Sequence, residues 1–329
     1  MAGGRYSAAR STVPTTDNRP PATDHRPPTT DHRLMISERI TPKVVSACMA
    51  LHLGLWLPLD ILVQSGATEL RLAKAAERLI ALMLAYAAAF AINLEIAEEH
   101  RHAGWLRVAW LALAANAGIS FFRPLFESRI LDFVSPGSWD WPLLGLAQHL
   151  LIIPANCFLL FGVLAMWFAY HRVGLGFKIE RRDYVAMAGV LVIMLGLLAL
   201  RENLTEAQSP YMTSRVLQPI GLVLLSICSA VSLVLYRLAM QMGGGQLARA
   251  LRWLTIYALL RGVLVLVRAL RLDFLPEAGS WMDRYALEIG WQMVPWIATL
   301  AAACRAELTV KAARELAQRR AAKRELVSA

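Results

Sequence analysis

Four residues of the first long apolar stretch, Cys48, His52, Trp56 and Asp60, recur every fourth position. On a helix that spacing places them on one face. Three further stretches repeat the pattern of polar groups within apolar surroundings. His149 and Asn156 are seven apart around Pro154. Tyr257, Arg261 and Arg268 share a face. Glu288, Gln292, Trp296 and Thr299 share another, with Pro295 among them. A charged side chain in the middle of a bilayer costs about 2.5–3.5 kcal/mol unless it is paired, so such residues mark either helix register or a ligand, ion or proton pathway. Counted at ~1.5 Å of rise per residue, His52, Asn156, Arg261 and Gln292 lie near mid-span. Asp60, His149, Arg268 and Glu288 lie roughly 9–12 Å nearer the outer face, and Asn116 sits between the two layers. The expected site is therefore one polar cavity, open outward and lined by spans one, four, seven and eight, that takes a small molecule or a lipid headgroup. Arg268 with Glu288 is the expected ion pair. Proline-bent helices fit such a cavity, because irregular backbone is tolerated at that depth only where protein or water satisfies it.

These side chains need spanning helices to position them, and composition supplies them. Of the 329 residues 57% are hydrophobic and 18% charged, with a mean hydropathy of +0.45. A water-soluble chain carries roughly a quarter charged residues and does not repeat apolar runs of ~20. The expected fold is all-α, a polytopic transmembrane helix bundle over residues 35–304. Its eight spans are 44–64, 77–97, 105–122, 142–170, 184–200, 216–240, 249–270 and 284–304. Ala81, Ala85 and Ala89, and Ala114 with Gly118, are small residues four apart that allow close helix approach.

The net charge is +10, from 34 basic and 24 acidic residues. Much of the excess falls in 305–329, a basic helical tail with seven Lys/Arg against three Glu. By the positive-inside rule the tail is cytoplasmic, and with eight spans so is the N-terminus. The segment 171–184 agrees, with Arg172, Lys178, Arg181 and Arg182. The bilayer, anionic lipid at the tail and a protein partner at 305–329 are the interactions this implies. No aromatic residue interleaves the tail charges, so nucleic acid is not expected. Arg outnumbers Lys 29 to 5, which suggests a GC-rich bacterial source and hence the bacterial inner membrane. Arg39 and Lys43, the run Val44–Leu57, then Ser65, Gly66 and Ala67 also resemble a signal peptide. Cleavage there would leave seven spans, but Pro58 and Asp60 end such a segment poorly. Residues 1–34 contain a seven-residue Thr/Asp/Pro repeat with no core-forming residues. Disorder is expected there, with Met35 as the natural start.

Other chemistries fare worse. Glu99 and His102 have the i, i+3 spacing of a di-iron helix, but no second Glu-x-x-His occurs in the spans. A solvated helix end is the expected reading, and no metal. His52 and His149 differ by ~10 Å of rise, too much for one haem. Cys48, Cys157, Cys228 and Cys304 have no close spacing and read as packing residues. Without a nucleophile and base, no catalytic residue and no cofactor are expected. A membrane sensor or scaffold acting through the tail is the alternative to binding or transport, with a membrane-embedded enzyme third. Arg261 to Ala302, with Tyr285, Glu288 and Pro295, looks slightly like the end of the seven-span lipid-translocating exporters of fungi. That family spaces its arginines and glutamate more tightly, whereas Arg261 and Arg268 are seven apart here.

Overall fold

The computed structural model describes residues 36–127, 141–172, 179–204, 212–243, 245–274 and 281–328, with some side chains inside these ranges left undescribed. The chain divides into Met1–Leu34 and Met35–Ala329. The repeat and its expected disorder fall in the first unit, outside the described residues. Every long element of the second unit is a helix: α1 (Pro42–Gln64), α2 (Arg71–Glu99), α3 (Trp105–Ser120), α4 (Trp141–Arg172), α5 (Arg181–Leu204), α6 (Met212–Gln241), α7 (Gln246–Phe274) and α8 (Trp281–Ser328). Short helices at Ile36–Arg39 and Arg123–Glu127, and a 3-10 turn at Thr68–Leu70, join or flank them.

Local chemistry sets several ends. Thr41 caps α1 by accepting the Val44 amide proton at 3.3 Å, with Pro42 in the first turn where its missing N–H is not needed. The α1–α2 hairpin turns at Gly66, whose φ of +113° a side chain would oppose.

Seven segments are long and apolar enough to cross a bilayer: Pro42–Gln64, Thr68–Glu99, Trp105–Phe126, Leu150–Arg172, Arg181–Ala199, Pro219–Gln241 and Tyr285–Ala312. This is a multi-pass membrane protein. α7 is 29 residues long, but many side chains of its second half lie outside the described set, so it is not counted with the seven. The surface agrees with a lipid solvent. Leu51 is 63% exposed, Ile193 62% and Val192 69%, while Asp60, Asn116, Asn156, Arg261 and Gln292 are buried. Water would favour the reverse arrangement.

α8 packs on both α2 and α7, and α3 on both α2 and α4, with α6 between α4 and α7; α1 lies against α2 and α8, and α5 against α6. Small residues permit the close crossings. Thr299 donates to the Ala85 carbonyl at 2.7 Å, so α8 approaches the α2 backbone at the alanine stripe. Gly162 lies on Leu113, and Gly118 on Phe90. The described helices thus form one bundle whose apolar core runs through α2, α3, α4, α6, α7 and α8.

Candidate polar sites in the bundle

The candidate residues whose side chains are described gather in two places rather than one. The first lies between α1, α2 and α8. His52 Nδ1 is 2.6 Å from Glu77 Oε1, and its Nε2 is 3.3 Å from Gln292 Oε1. Two turns farther along α1, Asp60 accepts from Gln64 at 2.7 Å and pairs with Lys74. Arg78 reaches Glu288 at 3.6 Å. Lys74, Glu77 and Arg78 have i, i+3, i+4 spacing, so α2 turns one charged face toward both neighbours. His52 and Gln292 are buried, whereas the Glu288 side chain is 37% exposed and that of Lys74 26%. The cluster therefore runs from the core to an accessible lip. Within it Glu77 Oε2, Arg78 Nε and Gln292 Nε2 are buried without a hydrogen-bond partner. The Trp296 ring stands 6.1 Å from His52.

The second place is a chain of hydrogen bonds across α7, α3 and α4. Arg261 Nη1 donates to the Tyr257 hydroxyl at 2.8 Å, which donates to Asn116 Oδ1 at 3.0 Å. Asn116 Nδ2 then donates to the Ala155 carbonyl at 2.6 Å. Asn156 donates to the Gly221 carbonyl of α6 at 3.3 Å. A cavity of about 20 Å³ adjoins this chain, with Asn93, Trp110, Asn116 and Tyr257 among its walls. It has room for about one water. Asn93 Oδ1 and Trp110 Nε1 are both buried without a protein partner, an acceptor and a donor that one water can bridge.

Of the residues expected to share one cavity, His52, Asp60, Glu288 and Gln292 thus meet in the first cluster. Asn156 and Arg261 belong to the second. The side chains of His149 and Arg268 lie outside the described residues, so the Arg268–Glu288 pair does too; Glu288 has Arg78 within ion-pair distance. Sequence reasoning missed Lys74, Glu77 and Arg78 because they precede or open the second apolar run, where charges are usually left to headgroups. Their shared helix face was the available signal.

A third polar group lies at the tail end of the bundle. His100 Nδ1–H donates to the Ile96 carbonyl at 2.9 Å, leaving Nε2 to accept from Arg305 Nη2 at 2.9 Å. Arg305 Nη1 also donates to Thr309 Oγ1 at 3.0 Å, which donates to Glu99 at 2.9 Å. Burial, and then the Arg305 guanidinium, hold the His100 imidazole below its ordinary pKa against the opposing bond to Ile96. Glu99 is therefore engaged by α8, while His102 is exposed in the following loop.

No protein-family model matches the chain, and no curated protein or solved structure does either.

Proposed function

We propose that the protein binds or moves a small polar molecule or a lipid headgroup through the cleft between α1, α2 and α8. In this reading α7 is the eighth span, both termini are cytoplasmic, and the membrane is the bacterial inner membrane. The basic tail and the charged segment 171–184 support that orientation. The cleft then faces outward. The observation that carries the reading is the pair of unsatisfied groups beside His52. Glu77 Oε2 offers an acceptor and Gln292 Nε2 a donor, both buried. A ligand hydroxyl would complete both at once, donating to Glu77 Oε2 and accepting from Gln292 Nε2, and buried polar groups rarely remain incomplete. Intramembrane ionisable groups that meet from three helices are more often functional than incidental.

The test is what the full-length protein retains. Native and Glu77→Gln forms, purified identically into nanodiscs, are denatured and the released lipids and small molecules identified by mass spectrometry. A species held by the native protein and lost from the variant supports the cleft as its site. Identical complements from two equally folded samples overturn it.

A second reading, sensor or scaffold, has its own support. α8 runs unbroken for 48 residues from the core into the basic tail. The Glu99–Thr309–Arg305–His100 contacts clamp that helix to α2 where it leaves the bundle. A rearrangement at Glu288 and Gln292 would travel along one helix toward anionic lipid or a protein bound at 305–329. Loss of a pulled-down partner on Arg305→Ala, with ligand retention unchanged, would favour it.

A further inference from the structure

We propose that Arg261, Ser120 and Trp291 form a buried receptor for a small monovalent anion, a site separate from the α1–α2–α8 cleft. Arg261 is 1% exposed, and a guanidinium stays charged at any depth. Its Nη1 is used by Tyr257, whose ring lies 5.9 Å away, and its Nη2 has no partner. Among the described residues no carboxylate pairs with it. The acids of the cleft are engaged elsewhere, Asp60 by Lys74, Glu77 by His52 and Glu288 by Arg78. A buried charge with no counter-charge is among the least favourable arrangements a bilayer protein can hold. An anion cures it.

The helix register brings more donors to the same level. The bond between Tyr257 and Asn116 fixes where α7 meets α3. α7 is antiparallel to α6, since Thr255 reaches Ser232 and Ser229 reaches Ala258. α3 is likewise antiparallel to α4, with Leu113 on Gly162 and Asn116 on Ala155. α4 and α6 meet at Gly221, against Ile152 and Asn156. One turn beyond the bonded pair stands Arg261 on α7 and Ser120 on α3. Ser120 is fully buried and its hydroxyl has no partner. On α8, Gly290 lies against Leu264, the turn after Arg261. Its neighbour Trp291 is 9% exposed, with Nε1 unpartnered and the Arg123 guanidinium 5.8 Å over its ring. A guanidinium N–H, a hydroxyl and an indole N–H without acceptors make a donor-rich site, which is the chemistry of anion recognition. The one unpaired guanidinium charge of Arg261 matches a monovalent anion such as a halide or formate, whereas sulfate or phosphate would bring a second charge that Arg261 alone does not balance.

The experiment measures thermal unfolding of the full chain in nanodiscs at constant ionic strength, with gluconate replaced stepwise by chloride, bromide, formate, sulfate or phosphate. Saturable stabilisation by chloride, bromide or formate, but not by sulfate or phosphate, supports the site. Arg261→Met should abolish the ion-specific response, and Ser120→Ala should weaken the apparent affinity several-fold. If Arg261→Met does not fold, Ser120→Ala and Trp291→Phe carry the test, and both must weaken it. Bromide soaked into crystals should give an anomalous peak between the three side chains. No ion-specific response in the native protein would overturn the proposal, and is the outcome if water merely bridges Arg261 to the Asn156 carboxamide. An unchanged response in the variants, or bromide bound elsewhere alone, would also overturn it.

Discussion

His52 Nδ1 lies 2.6 Å from Glu77 Oε1, and this contact ties the first helix to the second inside the bundle. The imidazole is almost fully buried, and the carboxylate side chain is 16% exposed. Removing one partner strands the other in a medium that solvates it poorly. His52→Leu should therefore destabilise the protein by about 3 kcal/mol, and His52→Gln by less. The double variant His52→Leu with Glu77→Leu should recover part of that loss, since no carboxylate is left stranded, although Gln292 Oε1 still loses its His52 partner. A double-mutant cycle on unfolding in mixed micelles reads the coupling directly. Strictly additive losses would show that the two side chains do not depend on one another.

The crossing of α6 and α7 makes a sharper packing test. A methyl group on Gly262 would collide with Ser229 Oγ, which donates to the Ala258 carbonyl at 3.2 Å. Gly262→Ala must displace that hydroxyl or separate the helices, at about 1–3 kcal/mol. Adding Ser229→Ala should restore part of the loss by removing the atom in the way. Gly290→Ala meets only the end of the Leu264 side chain and should cost less. Equal melting temperatures for Gly262→Ala and the native protein would mean the helices are not this close.

Such close approaches were only half legible in the sequence. The alanine stripe of α2 announced a small-residue face, and Ala85 does receive α8. Apolar runs near twenty residues showed the helices, because the length of a span is set by bilayer thickness rather than by any partner. Helix adjacency is not written that way. Position along a helix can be counted from the sequence for His52 and Arg261, but rotation about the axis and the choice of neighbour cannot. That is how residues at one level came to be assigned to one cavity, whereas the bundle puts α2 beside α1 and sends Arg261 toward α3. Glu77 was hidden for a related reason. A charge near the end of an apolar run looks solvated until a histidine on another helix is seen to reach it.

The membrane assignment can be checked at native cysteines. Cys48 and Cys157 are exposed on the bundle, whereas Cys228 and Cys304 are buried. Exposed thiols within apolar helices should face acyl chains. Nitroxide labels at Cys48 and Cys157, with the two buried cysteines replaced by alanine, should collide often with oxygen and rarely with a water-soluble nickel chelate. The opposite ratio at both sites would place these surfaces in water and undo the assignment of the helices that carry them.

Acid pH should act on the protein at the tail end of the bundle. His100 is neutral in the arrangement observed, because Nδ1 donates to Ile96 and Nε2 accepts from Arg305. Protonating Nε2 would cost that bond and set two cations together, with Glu99 as the acid nearby, held through Thr309. Burial comes first among the causes that lower its pKa from 6.5, and the Arg305 charge adds to it. As pH falls through 6.5 the unfolded chain takes up a proton that the folded chain resists, so this contribution to stability is complete above 6.5 and declines toward the lower folded value. His100→Gln should remove that decline, leaving a flatter stability profile between neutral and mildly acid pH. Arg305→Met should flatten it only in part, since burial remains. Unfolding measured across that range decides the matter, and a His100→Gln profile as steep as the native one would assign the acid sensitivity to another group.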